Sequence, residues 1–293
     1  MLYAPLSPKA YDAALPPSVR LAVLARILLF ALGLGVLTSS AAGQEPVKTK
    51  IVLVGTRPDH PYASHMYLHE CRMLAECLRF APGVEAVVVQ NWPENPRTLA
   101  GVKSIVYYSR PAGDIVLSKG HREQFEKRMA QGVGYVAIHW ATDADLERGP
   151  AYLDVLGGWF NRAHSGLNVT TSPLVQIVPD HPVCRGWKEF PLHDEFYLNL
   201  KFHPRTQPLL KVRVEGQDQT VAWALEREGS AGGRSFGTTL GHFHENFEIE
   251  AFRRFIVNGI LWTAHAELPA AGAAVNVGEA DLKLPPEPQP DKP

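Results

Sequence analysis

The stretch GYVAIHWATD, Gly134–Asp143, decides how this chain is read. The apolar run Tyr135–Ile138, opened by glycine and followed by polar residues, predicts a strand buried on both faces. The strand is expected to extend through YVAIHW and to stop at His139 and Trp140. In open α/β sheets ligands bind at the C-terminal tips of strands, so an imidazole there raises a chemical question.

Working outward, KIVLVG (Lys50–Gly55) predicts a buried first strand, and a loop rich in His and Pro follows it. MYLHECRMLAECLRF (Met66–Phe80) carries apolar residues at helical spacing, and VEAVVVQ (Val84–Gln90) and KSIVYYS (Lys103–Ser109) read as strands. LSKGHREQFEKRMAQG (Leu117–Gly132) predicts an amphipathic helix with a glycine stop. Strands alternating with helices predict an α/β fold, a doubly wound parallel sheet with helices on both faces. Beyond it, strands are expected at Leu174–Val178, Leu209–Val214, Thr220–Glu226 and Arg234–Gly241, and a last long helix at Ile249–Ala266. Residues 50–268 form a single expected domain, and 269–293, rich in Ala and Gly and then Pro, an expected disordered tail.

Residues 1–43 differ from the rest. Arg20 and Arg26 precede ILLFALGLGVL (Ile27–Leu37), and TSSAAG (Thr38–Gly43) follows. This is the order of a secretory signal peptide, and the apolar run is shorter than the roughly 20 residues of a membrane span. The expectation is export to the periplasm or outside, with cleavage near Ala42 or Gly43 or retention as an anchor. No other transmembrane segment is expected.

The 293 residues are 45% hydrophobic and 20% charged with a formal charge of −1, the balance of an ordinary globular protein. No basic stripe exists to capture nucleic acid. A small-molecule partner is expected, and a homo-oligomer stays open. Cys71, Cys77 and Cys184 are too few and too badly spaced for a disulfide framework and read as small buried hydrophobes.

The chemistry-bearing residues cluster at predicted strand ends. His60 and His65 follow the first strand, and His139 ends the fourth. His193, Asp194 and Glu195 sit with Tyr197 in HDEFY, and His242 and His244 follow the last strand in GHFHE. A lone strand-end histidine is more often structural than catalytic, but parallel strands bring such loops to one edge. Imidazoles with carboxylates suit acid–base work near neutral pH. His139, His242, Glu195 and Asp194 are the expected catalytic groups. His60, His65, Trp140, His193, Tyr197 and His244 are expected to bind substrate, and aromatic faces in such a cleft suit sugar rings. The same cluster could hold a divalent metal such as zinc, with His60, His139 and His242 as its ligands.

The segments KIVLVG…DHPYASH, GYVAIHWA, VPDHPVCRGWKEFPLHDEFYLNL and SFGTTLGHFHENFEIEAFRRFIVNGILWTA resemble the ThuA-like (trehalose-utilisation) family over nearly all of Lys50–Ala266. That resemblance implies the flavodoxin-like fold of class I glutamine amidotransferases and a link to carbohydrate metabolism, including 3-keto sugars. In the amidotransferase relatives, the strand matching GYVAIHW ends in a cysteine elbow. Here His139 takes that position, so a cysteine-dependent glutamine amidotransferase is not expected. The expectation is an exported enzyme acting on a sugar, keto-sugar or glycoside, of isomerase, lyase or hydrolase type. Its alternative is a non-catalytic carbohydrate-binding or accessory module.

Overall fold

The structure is a computed structural model that describes residues 48–287. The first half runs β1 (Thr49–Gly55), α1 (Tyr67–Leu78), β2 (Val84–Gln90), β3 (Val102–Tyr108), α2 (Ala112–Val116), α3 (Arg122–Ala130), β4 (Gly134–Ile138) and α4 (Gly149–Leu156). The second half runs β5 (Gly158–Trp159), β6 (Gly166–Gln176), β7 (Phe190–Leu198), β8 (Lys201–Phe202), β9 (Gln207–Val214), β10 (Gln217–Glu226) and β11 (Arg234–Thr238). Helices α5 (His244–Glu248), α6 (Glu250–Thr263) and α7 (Glu279–Leu282) follow. The expected signal segment lies outside the described residues. Among the described residues no helix is long and apolar enough to cross a membrane.

Nine strands form one sheet in the order β2-β1-β3-β4-β11-β10-β9-β6-β7. The pairings from β2 to β11 are parallel. Strand residues alternate between two cores, as a period of two requires. Ile51, Leu53, Val106, Tyr108, Val136 and Ile138 face a layer that includes α1 and α6. Val52, Val54, Ile105, Tyr107, Tyr135 and Ala137 pack with Phe125 of α3 and Tyr152 and Leu156 of α4.

The remaining strands form an antiparallel wing, so the doubly wound α/β architecture stands but the sheet is mixed rather than wholly parallel. A short-range cause is visible between β9 and β10. Only Glu215 and Gly216 join them, with φ of 51° and 78°, the left-handed pair of a tight hairpin. Two residues cannot make the crossover that parallel pairing needs. Trp223 of β10 anchors the wing: it is wholly buried and donates to Leu156 O at 2.9 Å. Gly158 and Gly237 make room for it, since a Cβ at either would lie within 2.4 Å of the indole.

Register explains why the tips converge. Gln90, Gly55, Tyr108, Ile138 and Thr238 are successive partners across the parallel strands, so five strands end in one row. The expected strand YVAIHW is shorter than predicted. It ends at Ile138, and His139 opens a 3₁₀ turn with φ of 56°.

The segment after residue 268 also differs from expectation. Ala273 and Val275 are buried, Ala273 N donates to Asn258 Oδ1 at 2.9 Å, and Arg254 Nε donates to Ala273 O at 3.0 Å. Its Ala- and Gly-rich part packs against the fold through small apolar residues. Residues 288–293 lie outside the described part.

Candidate functional site

Three loops meet above the strand tips. The loop after β1 carries His65, the turn after β4 carries His139, and the loop after β11 carries His242. The first and last are laced together: His65 N donates to His242 O at 3.0 Å, His244 N donates to Ala63 O at 2.9 Å, and Ser64 bridges Phe243. Left-handed backbone recurs here. His65, His139 and Gly241 have φ of 51°, 56° and 107°. Left-handed non-glycine residues cost about 1–3 kcal/mol each and persist only where the surroundings enforce them.

The three imidazoles are buried, at 2%, 0% and 8% exposure for His65, His139 and His242. His65 Nε2 lies 3.0 Å from both His139 Nε2 and His242 Nδ1, and the latter two are 3.1 Å apart. Proton positions follow from the outer partners. His139 Nδ1 lies 2.7 Å from Thr239 O, a carbonyl that can only accept, so Nδ1 carries the proton and Nε2 the lone pair. Tyr67 O–H donates to Asp59 Oδ1 at 3.1 Å, so His65 Nδ1, at 2.6 Å from the same hydroxyl and 3.1 Å from the carboxylate, brings its own proton. His65 Nε2 is then a second lone pair.

Two lone pairs therefore face each other at 3.0 Å, with His242 Nδ1 and, at 3.4 Å from His139 Nε2, the Tyr197 hydroxyl as the groups able to supply a proton. Burial keeps both rings neutral: it holds His65 down at about 2, aided by His60 and His242, and His139 well below the ordinary imidazole range, aided by His65 and His242. Such an arrangement is electrostatically poor alone and well suited to a cation. Nitrogens so spaced share a point about 2.1 Å from each, the zinc–imidazole bond length. The residues present thus fit a divalent metal held by His65, His139 and His242. Asp59 and Thr239 would be the outer partners that fix tautomer and ring orientation.

Glu195 Oε2 lies 3.5 Å from His242 Nδ1 and 3.7 Å from His139 Nε2. Burial would raise its carboxyl, but contact with His242 and the fields of His139 and His242 outweigh burial and keep it below the usual range. Tyr197 O–H is 3.4 Å from His139 Nε2, and its ring stacks on Phe160 at 4.1 Å. Trp140 closes another side, with its ring 5.5 Å from His60 and 5.7 Å from His65.

A family model described as trehalose utilisation, ThuA, matches residues 44–263. The chain belongs to the ThuA family. The family description supports a carbohydrate-related role. The chain is similar in structure to a ThuA-like protein of Bacteroides uniformis, with a TM-score of 0.57 and 17% identity over 76% of this chain and 94% of that one. It is also similar to cytoplasmic protein STM3548 of Salmonella typhimurium, with a TM-score of 0.49 and 14% identity over 73% and 98%. A glutamine amidotransferase of Thermotoga maritima gives a TM-score of 0.40 and 8% identity over 74% and 99%. No curated protein matches by sequence.

In this ThuA chain, His139, His242, Glu195, His65, Tyr197 and Trp140 lie together at the strand tips. The expected ligand set changes by one residue: His65 completes the triangle, and His60 stands outside it. His60 lies beside His65, with ring centroids 3.7 Å apart and its Nδ1 2.9 Å from Asp59 Oδ1. Asp59, His60 and His65 form a second, more exposed grouping.

Asp194 is not free for chemistry. It is wholly buried and accepts from Gly241 N at 2.7 Å, His242 N at 3.0 Å and Glu195 N at 2.9 Å. Burial raises its carboxyl to about 7 against those bonds. It positions the backbone of His242. His193 is exposed and stacks on Phe243 at 5.4 Å, away from the cluster. His244 is committed elsewhere, with Nδ1 2.6 Å from Glu70 Oε1 and Nε2 2.7 Å from Leu282 O. Sequence reading missed Asp59 and Tyr67. Their signal was weak: DHP reads as turn chemistry, and Tyr67 as an apolar helix residue. The cysteines are buried, and burial pushes the Cys77 and Cys184 thiols up to about 11 and 12 and Cys71 higher still.

Proposed function

We propose that this chain is an exported enzyme acting on a keto-sugar or a related glycoside. It would work by proton transfer at Glu195, assisted by a divalent cation on His65, His139 and His242. The observation that carries this reading is the triangle of imidazole nitrogens, two with outward protons and inward lone pairs. Export rests on the charged, apolar and small-residue order of residues 1–43. The carbohydrate class rests on family membership.

A bound divalent cation supplies Lewis acidity toward a carbonyl oxygen. The chain's own groups do the rest. Glu195, ionised and partly exposed beside the cluster, takes a proton from the carbon next to a ketone. The electron pair moves onto the carbonyl oxygen. Return of the proton to the former carbonyl carbon, with the hydroxyl proton of the first carbon passing to the oxyanion, completes an isomerisation. Re-forming the carbonyl while a double bond forms to the carbon beyond, whose substituent leaves with its bonding pair, completes an elimination. Trp140 and Tyr197 give the cleft apolar faces and polar tips suited to a sugar ring.

The test is turnover of a 3-keto-glucoside by the purified full chain, compared with Glu195→Gln and His139→Ala. Loss of turnover in both variants, with fold retained, is expected. Saturable sugar binding without product in any form would replace the enzyme with a carbohydrate-binding module.

A further inference from the structure

A second cavity, of about 410 Å³, lies beside the imidazole cluster at the C-terminal ends of β1, β2 and β3. Its walls include Thr56 and Arg57 after β1, Gln90 and Asn91 at the end of β2, and Arg110 two residues after β3. Because β1 lies between β2 and β3, the chain leaves β1 toward one side and β3 lies on the other. That divergence is the switch-point crevice in which open α/β sheets hold ligands.

Three features indicate what the cavity holds. Thr56, part of the wall, is 3% exposed, and its hydroxyl has no hydrogen-bond partner within the protein. A buried hydroxyl without a protein partner is free to donate to an acceptor oxygen beside it. Arg57 and Arg110 are the two cations of the cavity wall, and their guanidinium groups form no ion pair and no hydrogen bond among the described residues.

 The one carboxylate in the wall, Asp59, already has its Oδ1 occupied by His60, His65 and Tyr67. The cavity therefore offers two unpaired cations and an unpaired hydroxyl, the donor set of an oxyanion site. Arginine forks match carboxylate and phosphate groups in two-pronged fashion.

We propose that this cavity is an oxyanion subsite, and that the sugar the chain acts on carries a carboxylate or a phosphate. Asp59 is the shared wall: it lines the cavity and bonds His65 of the cluster. An acidic group held by Arg57 and Arg110 thus sits one side chain away from the imidazoles, and the ring it belongs to extends over them. Gln90 and Asn91 supply amides for the hydroxyls near that group. The proposal rests on the catalytic reading above only for what happens to the sugar after it binds.

The test is calorimetric titration of the full chain with glucuronate, glucose 6-phosphate and glucose. At least one acidic sugar is expected to bind tenfold or more tighter than glucose, and which one does so separates carboxylate from phosphate. The preference should fall to near unity in Arg57→Gln/Arg110→Gln, both exposed positions, and by a few fold in Thr56→Val. Equal affinity for all three sugars, or a preference unchanged in the double arginine variant, overturns the proposal. His139→Ala keeps the two readings apart. An acidic preference that survives there, with no turnover in any form, leaves the subsite standing and removes the catalytic reading. Turnover of a neutral keto-sugar with no acidic preference does the reverse.

Discussion

His242 and His244 are two residues apart, both buried, and opposite in character. His244 is satisfied on both ring nitrogens, by Glu70 on one side and by Leu282 O on the other, with Glu248 3.4 Å away. His242 turns Nδ1 toward two other imidazoles whose facing nitrogens hold lone pairs. Burial alone does not separate a structural histidine from a functional one. The inventory of protons does: the His244 ring is paired within the fold, whereas the three-imidazole cluster holds facing lone pairs that suit an added cation.

Substitutions break that comparison directly. His65→Ala, His139→Ala or His242→Ala should each abolish stoichiometric metal binding and turnover while leaving the fold in place, as circular dichroism and metal analysis would show. His244→Ala should do the opposite. It keeps the metal but leaves Glu70 buried without its partner, a loss of about 3–5 kcal/mol in denaturant unfolding. Glu195→Gln should retain the metal and lower kcat by about 10²–10⁴, the usual worth of a positioned proton-transfer group.

A smaller effect is expected one step outward. Asp59→Asn removes the charged acceptor that orients His65 and should weaken metal affinity by about 10–100-fold, measured by competition with a chelator. The smallest effect concerns pH. Burial raises Glu70 from 4.5 to about 7, against the pull of His244. Between those values the folded chain holds a proton that the unfolded chain has released, so the contribution of Glu70 to stability falls as pH rises through this window. Unfolding of Glu70→Gln followed across the same range should therefore show a shallower decline than the wild type.

Much of this was legible in the residues. Apolar runs ending in glycine or polar residues located the parallel strands, and the convergence of loops at their tips followed from the alternation of strands and helices. The wing was harder. GLNVTTSPLVQ on β6 is half exposed and lacks a clean period, so only its apolar end was recognised. In HDEFY the period of two separates the two faces of the strand. Leu192, Asp194 and Phe196 are the buried alternates of β7, whereas Glu195 and Tyr197 project from the other face, where both reach His139. The choice between His60 and His65 was not accessible from sequence, because a loop has no period from which side-chain direction can be read. The strained φ of His65 decides it, and that strain is set by tertiary contacts with the loop after β11.

The central claim is that three imidazoles form a metal centre. Its most direct test is elemental analysis of the purified full chain after equilibration with zinc and removal of excess. One equivalent per chain is predicted in the wild type and in His244→Ala, and none in His139→Ala. Equal metal content in wild type and His139→Ala, or none in either, would contradict the account.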